Sequence, residues 1–299
     1  MARRPRRRRR STAARVLLGL TAFVVALGVA AAVVVAALDR LQPDAPLVAR
    51  CAVTVDDTDW SLSPDQAQNA ALFAAMAQRR GLPARAVTIA IATGLQESRL
   101  ENIDYGDRDS IGLFQQRPSQ GWGTIEEIMD PVYSTGKFYD GLVKVDGYED
   151  LEVTVAAQAV QRSGFPDAYA QHETRSRAWA SALTGHSPAA LTCTLPDPEA
   201  AGTPEAAAER LVRDFGDLAH ERVPATEEKP ATLVVHAGAL GDAPERQAWA
   251  VAAWAVATAQ TLGTTSVDVA DQSWARTSTA WATTDAPLPT GDVRLTFAP

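Results

Sequence analysis

Residues 96–116 read QESRLENIDYGDRDSIGLFQQ and follow an apolar run, AVTIAIATGL, at 86–95. Val87, Ile91 and Leu95 recur four apart, the spacing of one helix face, and Pro83 opens the run. A helix ending at Glu97-Ser98 puts a carboxylate in its last turn, where unpaired carbonyls concentrate negative potential. At about 100° per residue, Glu97 falls about 100° from the centre of the apolar face, beside Ala86, Ala90 and Gly94. Such small neighbours admit a close approach of other backbone. Desolvation and the helix-end potential both disfavour the carboxylate and raise its pKa. A glutamate that keeps its proton beside a cleft is what general acid catalysis needs. Taken alone, Glu97 reads first as a solvated helix end paired with Arg99 or Arg108, and the downstream pattern is what shifts the reading.

The compartment follows from the other end of the chain. Residues 1–15 carry eight arginines and no acid, and residues 16–38 carry no charge. At ~1.5 Å per residue that apolar segment spans a hydrocarbon core of roughly 30 Å. It reads as a single transmembrane anchor rather than a cleaved signal peptide, whose apolar part is usually about 7–15 residues. The arginines predict a cytoplasmic N-terminus in the plasma membrane, with everything after the span outside. The net charge is −8, and without the eight N-terminal arginines it is −16. So acidic an exterior part is a poor nucleic-acid binder and gains nothing from simple attraction to anionic envelope polymers.

The two cysteines, Cys51 and Cys193, are expected to form a disulfide outside the cytoplasm. Closing so long a loop is worth roughly 5 kcal/mol in a chain-entropy account. With four scattered histidines there is no metal-ligand spacing, and no cofactor is expected. Residues 39–50 read as a tether, 51–193 as a first domain, 194–204 as a proline-bearing linker and 205–299 as a smaller domain.

The first domain reads as mainly α. Ser63-Pro64-Asp65-Gln66 is a capping box and Gly81 stops its helix. Pro83 opens a second helix, Asp130-Pro131 a third, Asp150 a fourth ending near Gly164, and Pro166-Asp167 a fifth ended by Gly185. The non-helical insert at 99–129 is too long for a mere connector. The later domain alternates helix and strand, with strands at TLVVHA, SVDVA and DVRLTF, and predicts a small α/β sandwich. Its AWAVAAWAVA run is too short for a second span and reads as a helix buried on a sheet. The tryptophans Trp249, Trp254, Trp274 and Trp281 read first as core, and His236 as structural.

The motifs of 60–185 resemble the lysozyme-like lytic transglycosylases and goose-type lysozymes. The resemblance lies in Glu97-Ser98, then a loop, then Ser110-Ile111-Gly112-Leu113-Phe114-Gln115, with phenylalanine in place of the family's methionine. Where those proteins carry Ala-Tyr-Asn-Ala-Gly, this chain has Ala159-Val160-Gln161-Arg162-Ser163 and lacks the tyrosine. The resemblance implies a lysozyme-like α+β fold with Glu97 as general acid and then base. Ser98, Gln115 and Gln161 would orient the sugar, and Gly112 would let backbone approach it. Gln116 and the rest of 115–123 would line the cleft, with Trp122 as a stacking platform or as a loop anchor. Asp104, Asp107 and Asp109 are the candidates for a second carboxylate. A transglycosylase needs none, because the substrate's own 6-hydroxyl closes an anhydro ring.

Two functions compete. One is a membrane-anchored enzyme cleaving peptidoglycan glycan strands. The other is a non-catalytic wall-binding or secretion/conjugation assembly protein on the same fold, working within an envelope protein assembly. A single uncharged span builds no transport pathway.

Overall fold

The structure, a computed structural model, describes residues 12–41 and 47–298. The chain divides into two units, Met1–Pro46 and Leu47–Pro299. In the first, helix α1 (Thr12–Leu41) contains a window, Arg15–Val35, long and apolar enough to cross a membrane, with none of it buried against protein. The basic segment at 1–11 and most of the expected tether, 42–46, lie outside the described residues.

The second unit mixes helix and sheet. It begins with strands β1 (Arg50–Val55) and β2 (Thr58–Leu62), continues with helices α2 (Pro64–Arg79) and α3 (Ala84–Ser98), and reaches α4 (Ile125–Met129), α5 (Pro131–Leu142), α6 (Val153–Gln161) and α7 (Glu173–Leu183). Strand β3 (Leu191–Thr194) returns to pair with β1 on the edge opposite β2. In that antiparallel pair Cys51 lies directly across from Cys193, and the two form the expected disulfide.

Helix α3 is the axis of this part. Ten consecutive residues, Ala86 to Leu95, are buried, and α2, α5, α6 and α7 pack around them. The capping box at Ser63 forms as read, with both reciprocal hydrogen bonds present. Asp130 caps α5 with its carboxylate on the Val132 and Tyr133 amides.

Three local readings need correction. Helix α6 starts at Val153, after uncapped Glu152, because 145–150 fold into successive turns through a left-handed Gly147; it ends at Gln161 with Arg162 left-handed. The segment after Pro166 bonds three residues back, as a turn and a 3-10 helix at Ala170–His172, so the fifth long helix begins only at Glu173. The 99–129 insert holds a 3-10 turn at Pro118–Gln120 and α4, whose Thr124/Glu127 capping box sequence inspection passed over. The mainly α reading also omitted the sheet built from β1, β2 and β3.

Past Cys193 come α8 (Pro204–Phe215), β4 (His220–Val223), β5 (Thr232–His236), α9 (Pro244–Ala257), the short α10 (Ala259–Leu262), β6 (Thr264–Val269), β7 (Gln272–Ala275), β8 (Ala282–Thr283) and β9 (Asp292–Phe297). The strands form one sheet in the order β4-β5-β9-β6-β7-β8, and every pairing in it is antiparallel. Burial alternates along β5 and β9, so one face of the sheet is covered and the other is half-exposed.

Helix α9 touches β6 and β9 of this sheet and also α2, α7 and β3. That double contact explains its all-round apolarity, since a helix buried on every side has no polar face to present. The expected boundary at 194–204 falls inside one compact unit. Leu195 donates its amide to the Arg276 carbonyl, and Trp274 Nε1 donates to the Cys193 carbonyl at 3.1 Å. Trp254 donates to fully buried Asp214 and Trp281 to the Leu191 carbonyl, so these aromatics are structural.

Gly94 offers a test of packing against propensity. A Cβ there would stand 2.7 Å from Leu100 Cδ2 and 3.2 Å from the Phe73 ring, and both side chains are fully buried. Alanine in a helix ordinarily gains about 1 kcal/mol over glycine, but overpacking a core costs about 1–3 kcal/mol. Gly94→Ala is therefore expected to lower stability by about 1 kcal/mol in urea unfolding, against the propensity scale.

Candidate active site

The site is built where α3 stops. Arg99 and Leu100 both take left-handed conformations, at φ 58° and 62°. The Leu100 amide bonds back to the Gly94 carbonyl and the Arg99 amide to Leu95, which closes the last turn and turns the chain away. From α2, Gln66 and Asn69 donate their side-chain amides to the Arg99 and Leu100 carbonyls, each at 2.8 Å. The helix thus ends at Glu97-Ser98 for reasons fixed outside it.

The 110–116 segment folds into a tight reversal closed by an Ile111–Gln116 bridge, with Gly112 at φ 77°. Phe114 is wedged between Phe73 and Phe138, with ring centroids 4.8 and 4.5 Å away. Its place in an aromatic stack makes phenylalanine a core anchor of the turn. Two hydrogen bonds then tie the three sequence motifs together. Ser98 Oγ donates to the Leu113 carbonyl at 2.8 Å, and Gln161 Nε2 donates to the Phe114 carbonyl at 2.7 Å.

Glu97 sits in the middle of this knot, half-buried. Tyr169 Oη donates to its Oε1 at 2.6 Å, and Gln161, whose Nε2 is given to the Phe114 carbonyl, stands nearby. Burial pushes the Glu97 carboxyl above its ordinary range, and the hydrogen bonds from Tyr169 and Gln161 offset part of that rise. Burial and the neighbouring Glu97 push the Tyr169 phenol up in turn, so it stays a donor at neutral pH. An aromatic hydroxyl thus stands on the carboxyl, from Tyr169. It stands in the turn after Pro166, a place that no helical or motif spacing marks.

The remaining expected residues fall into two groups. Trp122 and Gln161 line one groove of about 660 Å³, together with Gln120, Lys144, Val160 and Arg162. Ser98 and Gln116 are buried and serve the chain itself, with Gln116 Nε2 on the Ser134 carbonyl. Gln115 folds back to donate to the Tyr105 carbonyl. The close approach at Gly112 is to the chain's own Ile128 carbonyl, 3.0 Å from where a Cβ would stand. Asp104 and Asp107 are exposed. Asp109 accepts from Arg117 Nε at 2.7 Å and from the Ser119 amide at 2.8 Å, and those contacts hold its carboxyl far below the usual range. Among the described residues no cluster of histidine, cysteine and carboxylate could hold a metal. In comparisons with known proteins, the chain matches no family model and no curated protein.

The raised Glu97 pKa is a statement about stability. Its ionisation costs the folded state, and that cost is absent below the unfolded carboxyl pKa and fully present above the folded one. Glu97→Gln keeps an oxygen acceptor for Tyr169 and removes the charge. It is expected to raise Tm relative to the parent increasingly as pH climbs from 4 to 8, with the two chains converging at the acid end.

Proposed function

We propose that this protein is a membrane-anchored enzyme that cleaves peptidoglycan glycan strands on the outer side of the plasma membrane. The observation that carries the reading is a half-buried carboxyl with a raised pKa at the end of a buried helix, tied through the 110–116 turn to Gln161, which lines a sugar-sized groove. The lysozyme-like reading of the fold is supported by the same arrangement, in which Glu97-Ser98, the 110–116 turn and Gln161 meet. The apolar α1, the arginines before it and the disulfide after it support an anchored protein whose larger unit faces an oxidising exterior.

In this mechanism Glu97 gives its proton to the glycosidic oxygen as the bond to C1 breaks, and the leaving sugar departs with a new hydroxyl. The substrate's 6-hydroxyl attacks the electron-poor C1 and returns its proton to Glu97, closing a 1,6-anhydro ring without consuming water. Transglycosylation is favoured over hydrolysis because Asp109, the candidate second carboxylate with hydrogen-bond partners, is already committed to Arg117 and Ser119. Tyr169 holds the glutamate in place between the two proton transfers.

The wall-binding alternative draws on one observation: Ser98 and Gln116 bond the chain itself instead of facing outward. Zymography on purified sacculi separates the two. Glu97→Gln is expected to lower clearing at least 100-fold, in line with the usual contribution of a general acid. Equal clearing by both chains rejects the role given to Glu97. Mass spectrometry of the released fragments should show 1,6-anhydro ends, whereas reducing ends would mean hydrolysis.

Tyr169→Phe deletes a donor that favours the ionised carboxylate. It should move the alkaline limb of the pH–rate profile upward, the direction in which Glu97 holds its proton longer.

A further inference from the structure

The groove that Gln161 lines carries a net positive charge within an acidic unit. It is walled by Gln120 and Trp122 from the loop before α4, by Lys144 just past the end of α5, and by Val160, Gln161 and Arg162 at the end of α6. Two cations stand in this lining and no carboxylate does. Among the described residues, neither Lys144 nor Arg162 takes part in any ion pair, although most other arginines of this unit's helices do. Both are exposed, in a chain whose charge after residue 15 is −16.

Neither cation is among the groups acting on the Glu97 carboxyl, which feels burial, Tyr169 and Gln161. They line the groove together with Gln161. Trp122, half-buried against the core, lines the same wall, and about 660 Å³ lies within the ordinary range of ligand sites.

We infer that Lys144 and Arg162 form an anion-recognition subsite that reads carboxylates on the side arms of the glycan strand while Trp122 holds the sugar ring. The inference rests on the reading of the protein as one that acts on peptidoglycan. It names the part of the substrate that a neutral amino-sugar polymer lacks. It also reconciles an acidic protein with an acidic polymer: attraction is confined to one groove, within a Debye length of about 8 Å at physiological salt. A simpler role for both side chains is to balance the negative ends of α5 and α6, where lysine and arginine are often found.

The test uses the full chain in detergent and sacculi freed of phosphate-bearing polymers by hydrofluoric acid. Binding by co-sedimentation and muropeptide release are measured on native sacculi and on sacculi whose carboxyls have been amidated with carbodiimide. The chains compared are the parent, the K144Q/R162Q double variant and Glu97→Gln. The parent and Glu97→Gln should bind native sacculi roughly tenfold more tightly than amidated ones, and the double variant should lose that preference. Raising salt should abolish the difference in the parent. A parent that binds both sacculi alike, or a double variant that keeps the preference, overturns the subsite and leaves any Glu97-dependent release untouched. Charge-dependent binding that needs Lys144 and Arg162, with no release by any chain, upholds the subsite and rejects the enzyme. A lowered Tm in the double variant with the preference intact assigns the two cations to the helix ends and overturns the inference. A preference that appears only when the phosphate polymers are left in place points to phosphate and overturns the carboxylate assignment.

Discussion

Two successive residues in the left-handed region, Arg99 and Leu100, decide where the central helix stops, and the site depends on that stop. Left-handed backbone is costly for a branched or long side chain, and two in a row need outside support. That support is on hand. Gln66 and Asn69 bind the two carbonyls, and the Leu100 side chain fills the space left open by the missing Cβ of Gly94. Gln66 is also the acceptor half of the capping box that starts α2. One side chain therefore starts one helix and stops the next, which fixes both relative to each other.

The same stop determines what Glu97 experiences. Continuing the helix would carry the chain away from the 110–116 reversal; ending it brings Ser98 Oγ onto the Leu113 carbonyl and packs Phe114 between Phe73 and Phe138. The reversal and Gln161 then shield one side of the carboxyl, while Tyr169 closes over another. Burial of the glutamate is thus a consequence of backbone geometry set several residues away. The disulfide and the α9 contacts act at the opposite end of the same body, where Trp274 and Trp281 bond the β3 carbonyls and hold the second sheet against the first layer.

The sequence revealed those features that are governed by local rules. The Ser63 and Asp130 caps, the apolar face of Val87, Ile91 and Leu95, and the strands at 232–236, 264–269 and 292–297 all follow from nearest-neighbour chemistry and periodicity. The Cys51–Cys193 bridge was legible because only two cysteines exist. The pairing of β3 with β1 was not, since it joins residues about 140 positions apart and no short window contains it, while the local β1–β2 hairpin across Asp56-Asp57 was passed over. Tyr169 was hidden for a related reason. Its role depends on a turn after Pro166 that bonds three residues back, where helical spacing had placed a regular helix. Ser98 and Gln116 carried the right chemistry for ligand contact, yet each had a nearby backbone carbonyl to satisfy. A buried polar group meets that demand before any other.

On the proposed reading, the balance at Glu97 would let one carboxyl serve both steps. Burial without donors would hold the proton so firmly that the group could not act as a base afterwards. Donors without burial would leave it ionised and unable to act as an acid. Tyr169 and Gln161 each favour the charged form, yet burial outweighs them and the net shift is upward. The group therefore sits above an ordinary glutamate while keeping the Tyr169 hydrogen bond ready for its ionised state. That is the arrangement expected of a residue that gives up a proton and takes one back within a single turnover. A second carboxylate nearby would raise the pKa further through like-charge repulsion and bind the proton too tightly for return. The commitment of Asp109 to Arg117 and Ser119, together with the exposure of Asp104 and Asp107, is consistent with chemistry that relies on a single acid.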